Sequence, residues 1–303
     1  MLELISLYGW TIVAGCLASP TLALIGTQLA ARDRAMQTLC VSQGALVGVL
    51  LGLGLFQPFD IPVLTSVGPM ALALFFSGTT FLLTDKWVAS RAASKNTLFA
   101  VLFVGLLSCG YLISSIFPAL ENHLAQVYFG DLATLTEGDS QRAIFLSLIA
   151  LFFIQRNWMG FSNESFEWAL FGCPPSTNSA SSRWGFRLLS LLTLSVSVQY
   201  VGFLFTVSML FVPTGLLSLS RRCGLKRHLV SSAILAVLSS GLGFLVSLRF
   251  TRMPTVPTIV AALILASTVF LLTERVFDDA WAKFRKHVTW WVDLRKHQSA
   301  TQS

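Results

Sequence analysis

Nine stretches of the chain are long and apolar, and none carries an acidic residue or a histidine in its middle. They are 5–29, 36–56, 61–84, 97–119, 138–154, 187–202, 203–220, 229–249 and 257–273. Crossing the hydrocarbon of a bilayer takes roughly 20 residues of helix. A backbone in lipid must satisfy its own hydrogen bonds, so such runs fold as helices. The runs therefore predict an all-α fold, a polytopic membrane helical bundle with eight or nine transmembrane helices. The fifth, sixth, seventh and ninth runs are short, as broken or partly inserted helices are. Composition agrees: 54% of the 303 residues are hydrophobic and 12% charged, a balance that a soluble domain of this size cannot cover with polar surface.

The 14 acidic residues and four histidines all fall between the runs or at their ends. A proton-coupled carrier keeps an acid inside the membrane as its relay, so that class is disfavoured. Basic residues orient the chain. Arg32, Arg34, Lys86, Arg91, Lys95, Arg156, Arg183, Arg187, Arg221, Arg222, Lys226 and Arg227 mark alternate connections, and the tail carries six more from Arg275 to Lys296. The connection around 120–139 is acidic instead. This places the N-terminus outside and the C-terminus in the cytoplasm. The pair Arg249 and Arg252 runs against the pattern. The formal net charge of +7 is spread over several loops, which argues against a nucleic-acid partner. Residues 1–273 are expected to form the transmembrane domain, with a cytoplasmic loop at 156–186. Residues 274–303 read as a cytoplasmic amphipathic tail, with Phe277, Trp281, Phe284, Val288 and Trp291 at helical spacing.

Val13-Ala14-Gly15-Cys16 has the look of a lipoprotein cleavage box. The preceding residues carry only Glu3 and the apolar run continues past the cysteine, so it reads as part of a retained first span. No cysteine falls in an outside connection, and no disulfide framework is expected. The chain has no G-x-x-x-x-G-K-[ST] loop to cradle ATP. It also has no G-x-S-x-G or H-E-x-x-H motif. No catalytic residue and no cofactor is expected, so the chain is not read as an enzyme. On the second run, Gly44, Gly48 and Gly52 share one helix face. They suit tight helix packing or, alternatively, close approach of a permeating solute. In the 156–186 loop, Asn163 is expected to cap a short helix with Glu164 and Glu167 in its first turn, closed by Gly172 before Pro174-Pro175. Such a helix either docks a partner or lies on lipid.

Several segments, in order, resemble the permease subunits of bacterial zinc, manganese and iron ABC importers, the ZnuB-like group. They are Tyr128-Phe129-Gly130-Asp131-Leu132, the loop from Asn163 through Ala169 to Gly172, Val201-Gly202-x-Leu204 with Val212-Pro213-Thr214-Gly215, and Pro254-Thr255-Val256-Pro257. The resemblance spans residues 1 to about 273. It implies a type II ABC importer-like bundle in the bacterial inner membrane and pairing with a second permease copy, usually identical. Further partners are two cytoplasmic ABC ATPase subunits and an extracytoplasmic substrate-binding protein. Asn163, Glu164, Phe166, Glu167, Ala169 and Gly172 would couple to the ATPase.

The resemblance breaks at one place. The family carries an Asp and a His four residues apart on its second span, a pair suited to a divalent cation. The aligned positions here are Leu39 and Gln43. Leu39, Cys40, Ser42 and Gln43 are therefore the residues expected to line the substrate pathway, with the metal ligands themselves unassigned. Cargo is expected to be a divalent metal ion. The alternatives are a metal chelate or other solute, or an ATP-independent carrier.

Overall fold

The computed structural model describes residues 8–56, 62–89, 95–130, 132–171, 180–219, 224–250 and 253–274. These residues form eleven α-helices with two short 3-10 turns and no strand among them. In chain order the helices are α1 (Gly9–Ala31), α2 (Ala35–Phe56), α3 (Pro62–Ala89), α4 (Lys95–Ile116) and α5 (Glu121–Phe129). They continue as α6 (Glu137–Arg156), α7 (Trp158–Phe171), α8 (Ala180–Tyr200), α9 (Phe203–Leu217), α10 (Leu225–Arg249) and α11 (Thr255–Glu274). Each of the nine apolar runs coincides with one helix. The two extra helices, α5 and α7, lie in connections.

Six helices are long and apolar enough to cross a membrane: α1, α2, the 67–85 stretch of α3, α4, α10 and α11. The ninth run, expected to be short, is a 20-residue helix. α6 and α7 together make a bent span, with an angle of 72° between them. α9 is the short apolar helix. The chain is a multi-pass helical membrane protein. α1 sits at the centre, packed on α6, α9 and α10, while α2 is wrapped by α3, α4 and α8. α4 is nearly all exposed, as a helix facing lipid is.

Helix packing answers the question left open by the glycine stripe. A Cβ at Gly48 would sit 2.4 Å from the Leu72 carbonyl oxygen, and one at Gly52 2.4 Å from Cα of Pro69. That face of α2 is pressed backbone-to-backbone against α3 and lines no opening, which is the use of small residues at crossings in membranes.

Gly130 and Gly202 hold the end of the bundle away from the arginine-rich turn of residues 32–34. Their φ values are +76° and +98°, in the left-handed region, where glycine carries no Cβ penalty. A Cβ on Gly202 would lie 2.4 Å from Cα of Gly130. The hydroxyl of Thr255 accepts from the backbone N–H of Leu132 at 3.2 Å. Three of the four segments that carry the family resemblance thus meet at one corner. Nearby, Thr136 caps α6: its hydroxyl accepts from the Asp139 N–H at 3.2 Å, and Glu137 and Asp139 fill the first turn.

The 156–186 loop departs from expectation. Its helix begins at Trp158, so Asn163 lies inside α7 and caps nothing. The break comes at Asn157, whose side-chain amide donates to the Phe153 carbonyl at 3.0 Å. Past that single residue Trp158 and Phe161 pack into the main apolar core and restart the helix at once. Gly172, Pro174, Pro175 and the tail from residue 275 lie outside the described residues.

Candidate functional site

Buried polar side chains gather at two depths. The first group lies at the end of the bundle that carries the arginines. α1 runs out at Ala31, and the backbone N–H groups of Arg32 and Arg34 both return to the Leu29 carbonyl. Asp33, at φ 54°, turns the chain into α2. Arg32 is 3% exposed and Glu164 4%, and they form an ion pair at 3.4 Å. Arg32 also donates from Nε to the Ser165 hydroxyl at 3.0 Å and from Nη2 to the Phe161 carbonyl at 3.2 Å. Its guanidinium lies 4.0 Å from the centre of the Phe186 ring, a cation–π contact. The Ser165 hydroxyl donates in turn to Gln28. Burial lowers the Arg32 pKa to about 10 against the opposing pull of Glu164, with Arg34 and Arg187 lowering it further. That is still far above neutral pH, so the side chain stays cationic.

Asp85 joins the second half of this group. It accepts from Arg34 at 3.0 Å and from Arg187 at 3.4 Å. Arg34 also reaches Gln37 at 3.2 Å, and the Gln37 amide donates to Thr84 at 3.1 Å. Burial lowers the Arg34 pKa, and Arg187 adds to the effect while Asp85 opposes it. The group connects the α1–α2 turn, the end of α3, α7 and the start of α8. In the sequence Arg32, Arg34 and Arg187 serve only to orient the chain. The signal for the cluster is nevertheless present. Phe161, Glu164, Ser165 and Trp168 share one face of α7, and an acid on an apolar face needs a buried cation.

The opposite face of α7 is bare. Met159 (81% exposed), Asn163 and Phe166 (58%) recur at helical spacing along it. An open hollow of about 930 Å³ at the α6–α7 elbow adjoins this stripe, lined by Leu24, Ile154, Trp158 and Met159 among others. Of the residues expected to couple to an ATPase, Asn163 and Phe166 are exposed, Glu167 is half-buried and Glu164 faces inward to Arg32. Ala169 lies on α7.

The second group lies midway along α2. Ser42 and Gln43 are both 0% exposed, and neither side chain has a hydrogen-bond partner. The Tyr128 hydroxyl faces the Gln43 amide but stops short of hydrogen-bond geometry. The Tyr128 ring is stacked on Tyr111 at 5.6 Å and meets Phe203 edge-on at 6.5 Å. Cys40 is turned elsewhere, its thiol donating to the Phe99 carbonyl on α4 at 3.2 Å. Leu39 is half-buried. So the structure sets Tyr128 against Gln43, leaves Ser42 buried beside it on α2, and turns Cys40 towards α4. Among the described residues no three His, Cys, Asp or Glu side chains converge to hold a metal ion. All three side chains, Ser42, Gln43 and Tyr128, are uncharged polar groups.

Two solved structures share this fold. One is PsaBC from Streptococcus pneumoniae in complex with Fab, with a TM-score of 0.66 and 16% identity, covering 87% of this chain and 89% of that one. The other is an inward-facing conformation of a putative metal-chelate type ABC transporter. It has a TM-score of 0.61 and 16% identity, and it covers 86% of this chain and 83% of that one. No curated protein sequence matches. The model of the ABC 3 transport family matches residues 5–274, nearly the whole of the bundle, and the chain belongs to that family.

Proposed function

We propose that this permease is the membrane subunit of an importer that carries a divalent metal ion, zinc, manganese or iron, across the bacterial inner membrane. The end of the bundle with Arg32 faces the cytoplasm. ABC ATPase subunits dock on the Met159–Asn163–Phe166 face of α7, and an extracytoplasmic binding protein delivers the cargo at the Gly130–Gly202 end. A second copy of the chain completes the pathway, with membrane lipid around the exposed helices. The observation that carries this reading is Gln43. A fully buried amide with no partner inside a bundle is costly, and it aligns with the position where the resembled zinc, manganese and iron permeases usually carry a His suited to a divalent cation. A solute passing Ser42, Gln43 and Tyr128 would supply the missing partners.

A second reading is favoured by the absence of converging acids and histidines among the described residues. A neutral site compensates no positive charge, so a chelate whose ligands already neutralise the metal suits it. One of the two structural relatives is titled a metal-chelate type transporter.

Uptake of zinc, manganese and iron, measured by mass spectrometry in cells lacking the chain, separates these readings. A deficit in one free ion, restored by the gene and lost again with Gln43→Ala at equal membrane abundance, supports the first. A deficit seen only for chelated metal supports the second. No deficit in either form overturns both.

A further inference from the structure

α7 follows α6 after the single residue Asn157, at a 72° bend, and touches it again where the Phe161 ring meets Phe153 at 6.2 Å. Its inward polar side chains and Trp168 bind elsewhere. Glu164 pairs with Arg32, Ser165 links Arg32 and Gln28, and Trp168 lies 5.5 Å from the Arg34 guanidinium. The next links are also charged: Arg34 to Asp85, and Asp85 to Arg187 on α8. A continuous path of polar contacts therefore runs from α7 into the turn between α1 and α2. That turn is fixed by three backbone hydrogen bonds, from Arg32 and Arg34 to Leu29 and from Asp33 to Ala30. Arg34 immediately precedes α2, and Gln43 lies nine residues on, about 14 Å along the helix axis.

From this arrangement we infer that Arg32 is the positioning residue which makes α7 move as one body with the α1–α2 turn, so that displacement of α7 reaches Gln43 through α2 and not through α6. The inference rests on the ATPase docking proposed above and gives Arg32 a task that contact with the ATPase does not require. The elbow at Asn157 is the compliant joint, and the buried charges are the stiff one. Without them α7 would follow its ATPase while α2 stayed in place.

The test uses the full complex of permease and ATPase subunits in proteoliposomes, with Gln43→Cys introduced into a background whose native cysteines are replaced by alanine. The rate at which a membrane-impermeant maleimide labels that cysteine is measured before and after trapping with ATP and vanadate. In the parent the rate is expected to change about tenfold on trapping, the scale of a coupling between distant sites. In Arg32→Gln the complex still assembles and still traps nucleotide, but the change in labelling is abolished. Arg32→Lys keeps the cation and restores part of it. Arg32→Met combined with Glu164→Ala, which breaks the same link and strands no charge, is the second variant and decides alone if Arg32→Gln does not fold. Asp139→Asn, on the opposite end, leaves the change intact. An unaltered labelling response in a folded Arg32→Gln complex, or in a folded complex of the double variant, overturns the inference. So does loss of ATPase from either variant, because the residue would then be holding the docking face itself. Failure of the parent to bind an ATPase refutes the docking proposal instead.

Discussion

Arg32 and Gln43 are buried to almost the same degree, 3% and 0% exposed, and their surroundings are opposite. Arg32 meets a carboxylate, a hydroxyl, a carbonyl and an aromatic face. Gln43 meets the hydroxyl of Tyr128 out of hydrogen-bonding reach and nothing else polar that satisfies it. The cost of burying polar groups is similar in kind at both places. At the turn that cost is offset by partners within the chain. In α2 it is left open, as at a place where something else arrives. The contrast teaches that burial of a polar residue does not by itself mark a functional site. The accounting of its hydrogen bonds does.

The largest effect expected from breaking this contrast comes at the paired end. Glu164→Ala leaves the Arg32 cation buried without its carboxylate, and loss of one member of such a pair costs about 3–5 kcal/mol. Thermal unfolding in detergent should show the variant melting well below the parent. Adding Arg32→Met to it removes the stranded charge and should recover most of the loss. Equal melting of the single and double variants would mean that the pair contributes no coupling.

A smaller effect is expected at the corner opposite, where Gly130 and Gly202 meet backbone to backbone. Gly202→Ala places a Cβ 2.4 Å from Gly130 Cα at a φ of +98°. Strained backbone of this kind costs about 1–3 kcal/mol, and the forced separation of the two segments adds to it. The same melting measurement checks it, with Gly138→Ala, where a Cβ meets open space, as the neutral comparison.

These two places also show what a sequence discloses. The nine apolar runs are legible because lipid imposes one length and one polarity on every spanning helix. Gly130 and Gly202 are visible as members of motifs, but their contact is not, since seventy residues separate them and nothing in either segment names the other. α5 and α7 are hard to read because both are short and lie in connections, where periodicity competes with turn residues. The start of α7 is lost for a specific reason. Asn163 looks like a cap by residue type, while the actual break at Asn157 is one residue wide and leaves the apolar pattern almost uninterrupted. Arg34, Asp85 and Arg187 illustrate a further limit. Positive charge at the ends of spans serves orientation, so arginines there carry no separate mark of the partners they find. Ser42 and Gln43 were accessible through alignment to the family. Tyr128 entered only as part of a motif, because its approach to α2 depends on how α5 folds back over the bundle.

The smallest expected change has the opposite sign, and it tests the contrast most directly. Gln43→Leu keeps the side-chain volume nearly unchanged and removes a carboxamide that no hydrogen bond satisfies. Deleting an unsatisfied buried polar group relieves its desolvation cost, so the variant should be more stable by about 1 kcal/mol. A Gln43 that merely packs would give that gain with uptake intact. A Gln43 that meets the cargo would give the gain together with loss of uptake, because the leucine offers no oxygen or N–H to a passing solute. Melting and uptake measured on the same variant therefore resolve stability from function at a single position. A fall in melting temperature would show instead that the amide already has a partner, and the unpaired half of the comparison would be lost.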